Sequence, residues 1–231
     1  MPLDELHRTV AAVALGAAGR HGFALGGGNA LIAHGVIDRP TEDIDLFTDR
    51  QNGVAAAAGA VEAALRREGY TADRQDKTAG LADVFYGMGD GLAEWIITAP
   101  GGAQMLLQMA YFDRGRQPVL MEFGPVLDLD DALGSKVAAL ATRAAERDYI
   151  DVAAALARGY TVTQLIALAL ALDPGLTGED FADAGQRLDR LGDDRFTLLY
   201  GLTPDDVTRL RKQFAAWPRT PGAVPGAPPA G

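Results

Sequence analysis

The amino-acid sequence predicts an α/β (α+β) chain: a mixed sheet with helices, followed by a C-terminal helical bundle. Three observations predict it. Short apolar runs of strand length, punctuated by glycine, fill the first half after one early helix. From Asp130 onward the apolar residues recur only at helical spacing. Strands and helices are thus segregated along the chain, which favours a mixed sheet over a regular βαβ array. The expected division is 1–127 for the α/β domain and 128–217 for a helical domain. A Pro/Gly tail over 218–231 would follow, with five prolines and three glycines and too little apolar surface to fold.

The elements follow in order. Leu6, Val10, Val13 and Ala17 share one face of a helix over Leu3–Arg20, started by Pro2 and Asp4 and stopped by Gly22. Phe23–Leu25 is a short strand running into Gly26, Gly27 and Gly28, and Asn29–His34 reads as one or two helical turns closed by Gly35. Asp43–Phe47 alternates polar and apolar with period two and reads as a strand. Val54–Glu68 is an alanine-rich helix. Strands are expected at Ala82–Tyr86, Glu94–Thr98 and Gln104–Phe112, with a turn at Arg114-Gly-Arg116 and one more strand over Pro118–Phe123. Helices are then expected over Asp130–Ala145, Asp148–Arg158, Thr163–Leu172, Phe181–Leu191 and Pro204–Phe214.

Composition excludes several classes of function. The 231 residues are 48% hydrophobic, enough for a real core. There is no cysteine, so disulfides, thiolate metal sites and cysteine nucleophiles are absent. Three scattered histidines make a His-rich metal site unattractive. A net charge of −10 argues against a broad nonspecific grip on nucleic acid, though not against a small basic patch reading one RNA end. The longest apolar run, Leu165–Leu172, is about half of what a membrane span needs. The N-terminus lacks the basic-then-apolar order of a signal peptide, so a cytoplasmic protein is expected.

The chemistry concentrates in Gly26–Phe47, GGGNALIAHGVIDRPTEDIDLF. Two carboxylates at i and i+2 of a strand point to the same face. Asp43 and Asp45 would therefore present hard oxygen donors side by side, a set that suits Mg²⁺ (or Mn²⁺), which shares its coordination with substrate phosphates. Glycines before a helix let backbone N–H groups approach phosphate oxygens. A D-x-D alone is a weak signal: Asp128-Leu-Asp130 repeats it in this chain at what reads as a helix entry, where acids favour the dipole. The glycines match neither a Walker loop nor the G-x-G-x-x-G fingerprint. Glycine turn, short helix and D-x-D in that order carry the weight.

Farther on, Lys136, Arg143 and Arg147 would lie within about 40° of one another if Asp130–Arg147 were a single helix. Arg143 in that position reads equally as part of a solvated basic stripe. Lys136 is one of three lysines against eighteen arginines, and stands among Leu133, Val137 and Leu140, where snorkelling is the plain alternative. Asp148 suits a helix N-cap. Asp151 suits a helix-surface acid or an ion-pair partner of Arg147.

These residues carry a resemblance. Glycine pair, short helix and D-x-D resemble the signature of the DNA polymerase β-like nucleotidyltransferases. More narrowly, Gly27-Gly28-Asn29-Ala30-Leu31, Arg39, Thr41 and Asp43-Ile44-Asp45-Leu46-Phe47 are similar to the AbiEii/AbiGii-type nucleotidyltransferase toxins, which include the MenT toxins. Ser135-Lys136 through Leu140, Arg143, and Arg147-Asp148-Tyr149-Ile150-Asp151 match a second block of that family. The two blocks span roughly residues 20–160.

The resemblance implies a polymerase β-like nucleotidyltransferase sheet domain, with the helical domain completing an active-site cleft. It implies transfer of a nucleoside monophosphate from an NTP to an acceptor hydroxyl, with the tRNA 3′ end as acceptor, translation blocked, and an antitoxin protein as partner. Asp43 and Asp45 would hold metal. Gly27, Gly28, Asn29, Arg39 and Thr41 would bind the nucleotide, and Lys136 would offset triphosphate charge. Asp148 would bind or orient Lys136 or the nucleotide. The strand that should carry a third acid offers Gln108, with Glu94, Asp113 and Glu122 as alternatives. A basic patch of Arg114, Arg116, Arg143 and Arg147 would favour RNA. A small-molecule or protein hydroxyl acceptor, or an inactive nucleotide-binding relative, are the alternative readings.

Overall fold

A computed structural model describes residues 5–75 and 91–224. The strand expected at Ala82–Tyr86 lies outside them, as do the first two residues of the helix expected over Leu3–Arg20. The chain divides into two compact units, one ending at Leu129 and one beginning at Asp130.

In the first unit the described elements are α1 (Glu5–Ala18), β1 (Ala24–Leu25), α2 (Gly27–Ala33), β2 (Asp43–Thr48), α3 (Gly53–Arg67), β3 (Thr71–Arg74), β4 (Leu92–Thr98), β5 (Gln104–Tyr111), β6 (Val119–Met121) and β7 (Gly124–Val126). The strands form one mixed sheet in the order β3-β4-β5-β2-β1-β7-β6. β2 runs parallel to β5 and antiparallel to β1, while β1 runs parallel to β7.

The sheet has two unlike faces because its central strands alternate. Ile44, Leu46 and Thr48 of β2 are buried, as are Met105, Leu107 and Met109 of β5 and Ala93, Trp95 and Ile97 of β4. α1 and α3 pack on each other and against this sheet, α1 with Val10, Ala11, Ala14 and Leu15, α3 with Val54, Ala57, Val61 and Leu65. Trp95 donates its indole N–H to Glu62 of α3 at 3.1 Å, so the largest buried ring keeps a polar partner. Truncating Ile44 or Leu46 to alanine in such a layer costs about 2–5 kcal/mol. The opposite face carries Asp43 and Asp45 of β2, which are half-buried.

Two strands depart from the sequence reading. β3 has only Ala72 buried, so its alternation is too weak to read. The single strand expected at Pro118–Phe123 is a hairpin of β6 and β7, broken where Gly124 takes φ +132° against the Leu15 side chain.

The second unit contains α4 (Leu129–Thr142), α5 (Glu146–Ala157), α6 (Val162–Leu172), α7 (Gly178–Arg190), α8 (Asp194–Tyr200) and α9 (Pro204–Gln213). α4 and α6 approach closely at Gly134, where a Cβ would sit 2.8 Å from the Leu168 carbonyl oxygen. Tyr149 is fully buried, and its hydroxyl donates to the Ala184 carbonyl at 2.8 Å. Phe196 and Phe214 meet its ring edge-on, with centroids 6.4 and 5.6 Å away. Thr161 and Thr203 cap α6 and α9, each accepting from the backbone N–H three residues on at 3.2 Å.

Three expectations are corrected here. Asp130–Arg147 is not one helix: α4 stops at Thr142, and Ala144 takes the left-handed φ of +49° before α5 begins. α8 was unforeseen, being one buried phenylalanine on seven residues that end at Gly201, φ +66°. The expected disordered tail is packed through Val224. Trp217 is buried and donates to the Phe181 carbonyl at 2.9 Å, and Gln186 donates to the Arg219 carbonyl at 2.9 Å. Residues 225–231 lie outside the description. Proline and glycine lack side chains that build a core, but here they run beside α7, whose Gly178 and Gly185 leave room for the Pro221 and Pro218 carbonyls.

Candidate active site

In the first unit, each of three consecutive glycines is set by a different neighbour. The Gly26 N–H donates to the Asp45 carbonyl at 2.8 Å, which ties the turn to β2, and a Cβ on Gly26 would enter the Phe47 ring. Gly27 takes φ +56°, and its Cβ would land on the Asp45 carboxylate. A Cβ on Gly28 would stand 2.7 Å from the Thr41 methyl and 3.5 Å from the Arg39 guanidinium. The glycines thus bring the backbone directly onto the expected metal ligand and the expected nucleotide-binding pair.

Asn29 is 2% exposed. Its amide N–H donates to the Asp43 carbonyl at 2.7 Å, and its oxygen accepts from the Thr41 hydroxyl at 2.5 Å. Asn29 therefore clamps α2, Thr41 and the start of β2 together, and its side chain is spent on protein partners. Arg39 is half-buried, with Nη1 donating to the Pro40 carbonyl at 3.0 Å. Gly27, Gly28, Asn29, Arg39, Thr41, Asp43 and Asp45 are accordingly neighbours in one corner of the unit.

The acids proposed as a third carboxylate separate clearly. Asp113 and Glu122 are exposed, the first past the end of β5 and the second in the β6–β7 turn. Glu94 is 4% exposed and pairs in register with Gln108, which pairs in register with Asp45. Gln108 donates its amide N–H to Glu94.

Asp43 and Asp45 are the residues able to hold a divalent cation. Among the described residues no group of three or more His, Cys, Asp and Glu is placed to hold one. Two carboxylates with a tight backbone turn against one of them still fit Mg²⁺, which takes one or two protein carboxylates and fills its shell with water and phosphate oxygens.

In the second unit, Lys136 of α4 is 7% exposed and meets two fully buried carboxylates of α5. Its ammonium is 3.1 Å from Asp151 and 3.4 Å from Asp148. Arg143 closes on Asp148 from the other side with two parallel bonds of 2.9 Å, and Asp148 accepts from the Ala145 N–H at 3.3 Å. Burial alone would raise the Asp148 carboxyl; the Arg143 and Lys136 partners outweigh it and hold the group below the usual carboxylate range. Two of the three ammonium donors of Lys136 are thereby taken by carboxylates.

Snorkelling, a stripe of Arg143 and a surface Asp151 are therefore replaced by one buried network. Its signal in the sequence was the i, i+3 spacing of Asp148 and Asp151, which puts both on one helix face. Three of the four arginines named as a basic patch are paired with acids. Arg114 is half-buried, donating to Asp49 and to the Gly22 carbonyl, each at 2.9 Å. Arg116 pairs with Asp128 at 3.5 Å, and Arg143 is committed to Asp148.

With this geometry in hand, residues 12–187 match the family model for the nucleotidyl transferase AbiEii toxin of type IV toxin–antitoxin systems. This chain belongs to that family. AbiEii-family membership covers both the glycine/D-x-D corner and the lysine–aspartate network. Solved structures agree in fold. JHP933 from Helicobacter pylori is 16% identical with a TM-score of 0.57, covering 91% of each chain. MenT4, a nucleotidyltransferase toxin from Mycobacterium tuberculosis H37Rv, is 15% identical with a TM-score of 0.52, covering 91% of this chain and 82% of its own. A comparison with curated proteins gives no match. Among the described residues no helix is long and apolar enough to cross a membrane.

Proposed function

We propose that this AbiEii-family chain transfers a nucleoside monophosphate from an NTP to an acceptor hydroxyl of RNA, with the 3′ end of tRNA as the acceptor and arrest of translation as the effect. The observation that carries the reading is Gly27 closing its backbone onto Asp45 while Asp43 and Asp45 stand side by side on one face of β2. In the reaction the acceptor oxygen bonds to the α-phosphorus, the α–β bridging bond breaks, and pyrophosphate leaves. The hydroxyl proton passes to Asp45. Mg²⁺ or Mn²⁺, when bound, polarises the phosphate oxygens and offsets the charge of the leaving pyrophosphate.

Asp43 and Asp45 hold the metal. Gly27 and Gly28 offer backbone N–H groups to phosphate oxygens, and Arg39 and Thr41 line the nucleotide. Asn29 holds that corner in shape. Lys136, oriented by Asp148, is the residue that the family resemblance assigns to offsetting triphosphate charge. A cognate antitoxin is the protein partner, and the cytoplasm is the compartment where tRNA is met.

The test is incubation of the protein with tRNA, Mg²⁺ and each labelled NTP. One NTP should label tRNA, and Asp43→Asn should abolish labelling without altering the melting curve. No labelling by any NTP, beside an active family member, would sink the tRNA reading.

A second reading, transfer to a small-molecule or protein hydroxyl, is favoured by the pairing of Arg114, Arg116 and Arg143 with acids and by the net charge of −10. Salt separates the two. Labelling of RNA should fall steeply between low and moderate salt, and labelling of a small acceptor should not.

A further inference from the structure

β2, β5 and β4 place one residue each in a single row: Asp45 pairs with Gln108, and Gln108 pairs with Glu94. Side chains of residues paired in register rise from the same face of a sheet. Glu94, two strand spacings from β2, stands about 10 Å from Asp45 along the row, and with Asp43 and Asp45 it makes no three-acid metal cluster. The missing third carboxylate is therefore not supplied by Glu94 directly.

The contact between Glu94 and Gln108 is more informative. The arm of the Gln108 amide turned to Glu94 is its nitrogen, which donates to the Glu94 carboxyl oxygen. The two arms of a carboxamide diverge from one carbon, which turns Oε1 away from Glu94 and leaves it free for another partner on that face. An uncharged carbonyl oxygen is a good donor to a hard divalent cation. An acid at position 108 would lack the N–H that Glu94 accepts, so the glutamine is the residue this row accepts.

We propose that Gln108 Oε1 completes the cation site of Asp43 and Asp45, and that Glu94 is the positioning residue that fixes the amide in that orientation. The inference rests on the metal reading of the two aspartates. It gives the site a neutral third oxygen where a carboxylate is expected, and so leaves less negative charge facing an incoming triphosphate.

The experiment is Mn²⁺ binding to the whole protein, read by electron paramagnetic resonance, with circular dichroism melts confirming the fold. Gln108→Leu and Glu94→Leu should each weaken Mn²⁺ by about tenfold, the scale of a lost ligand or outer partner. Glu94→Gln, whose amide oxygen still accepts from Gln108, should retain most of the affinity. The exchanged pair Glu94→Gln/Gln108→Glu keeps the hydrogen bond and adds a carboxylate beside Asp45, and should bind Mn²⁺ more tightly than the wild type. It also serves if Glu94→Leu fails to fold. Loss of Mn²⁺ in Asp45→Asn, with Gln108→Leu and the exchanged pair both within about twofold of wild type, overturns the inference alone. Unchanged Mn²⁺ binding in Asp45→Asn overturns the metal reading, and this inference with it.

Discussion

Lys136 lies 3.1 Å from Asp151, a fully buried carboxylate one helix later in the chain. The pair sits beside a second buried carboxylate, Asp148, so the lysine neutralises charge that has no access to water. Removing the ammonium strands that charge. Lys136→Met should therefore destabilise the helical unit by about 3–5 kcal/mol, read by urea denaturation. Lost activity in Lys136→Ala would then report folding as well as phosphate contact. An unchanged urea midpoint would show that the network contributes no stability.

The same network gives a pH dependence. The folded Asp148 carboxyl is held below its ordinary value of 3.8. A depressed folded value means the unfolded chain binds the proton more readily, so stability is fully present above the ordinary value and is lost as pH falls through the folded one. The contribution of this network to stability should therefore be lost only below about pH 4. Asp148→Asn should flatten that acid limb at the cost of stability at neutral pH. An acid limb of the same steepness in Asp148→Asn would assign acid sensitivity to other groups.

Gly27 and Gly35 make a controlled comparison. Both take positive φ, +56° and +69°, but a Cβ on Gly35 meets open space while one on Gly27 collides with Asp45. Gly35→Ala should cost about 1 kcal/mol of backbone strain and keep nucleotide transfer. Gly27→Ala should abolish transfer by displacing the carboxylate, with about 1–3 kcal/mol of destabilisation. Equal activity of the two variants would show that the close approach at Asp45 is packing only.

The legibility of these features follows from where their information lies. β2 was readable because one face is buried and the other polar, so Ile44 and Leu46 alternate with Asp43 and Asp45 within six residues. The glycine turn was readable as a motif, but its reasons, the Phe47 ring, the Asp45 carboxylate and the Thr41 methyl, are contacts with residues at least thirteen positions away. Lys136 in an apolar helix reads as a snorkelling side chain. What holds it are two acids on the next helix, and the left-handed Ala144 between them gives no sequence signal. Gln108 was readable only as a missing acid, because its partner Glu94 is set by strand pairing across β4 and β5.

The segment after Trp217 offers the last prediction. Composition marked it as a tail, yet Arg219 binds Asp189 through bonds of 2.7 and 2.9 Å and donates to the Trp217 carbonyl at 2.6 Å. Val224 is 8% exposed. The Arg219–Asp189 pair is largely solvated and adds little by itself. The buried contacts of Val224 and the carbonyl bonds beside α7 should carry most of the effect. Ending the chain after Trp217 should cost about 2 kcal/mol relative to ending it after Val224. Both truncations are compared by thermal denaturation at one protein concentration. Identical curves would mean that residues 218–224 follow the surface of α7 without stabilising it. A lower melting temperature for the shorter chain would show that residues 218–224 stabilise the helical unit.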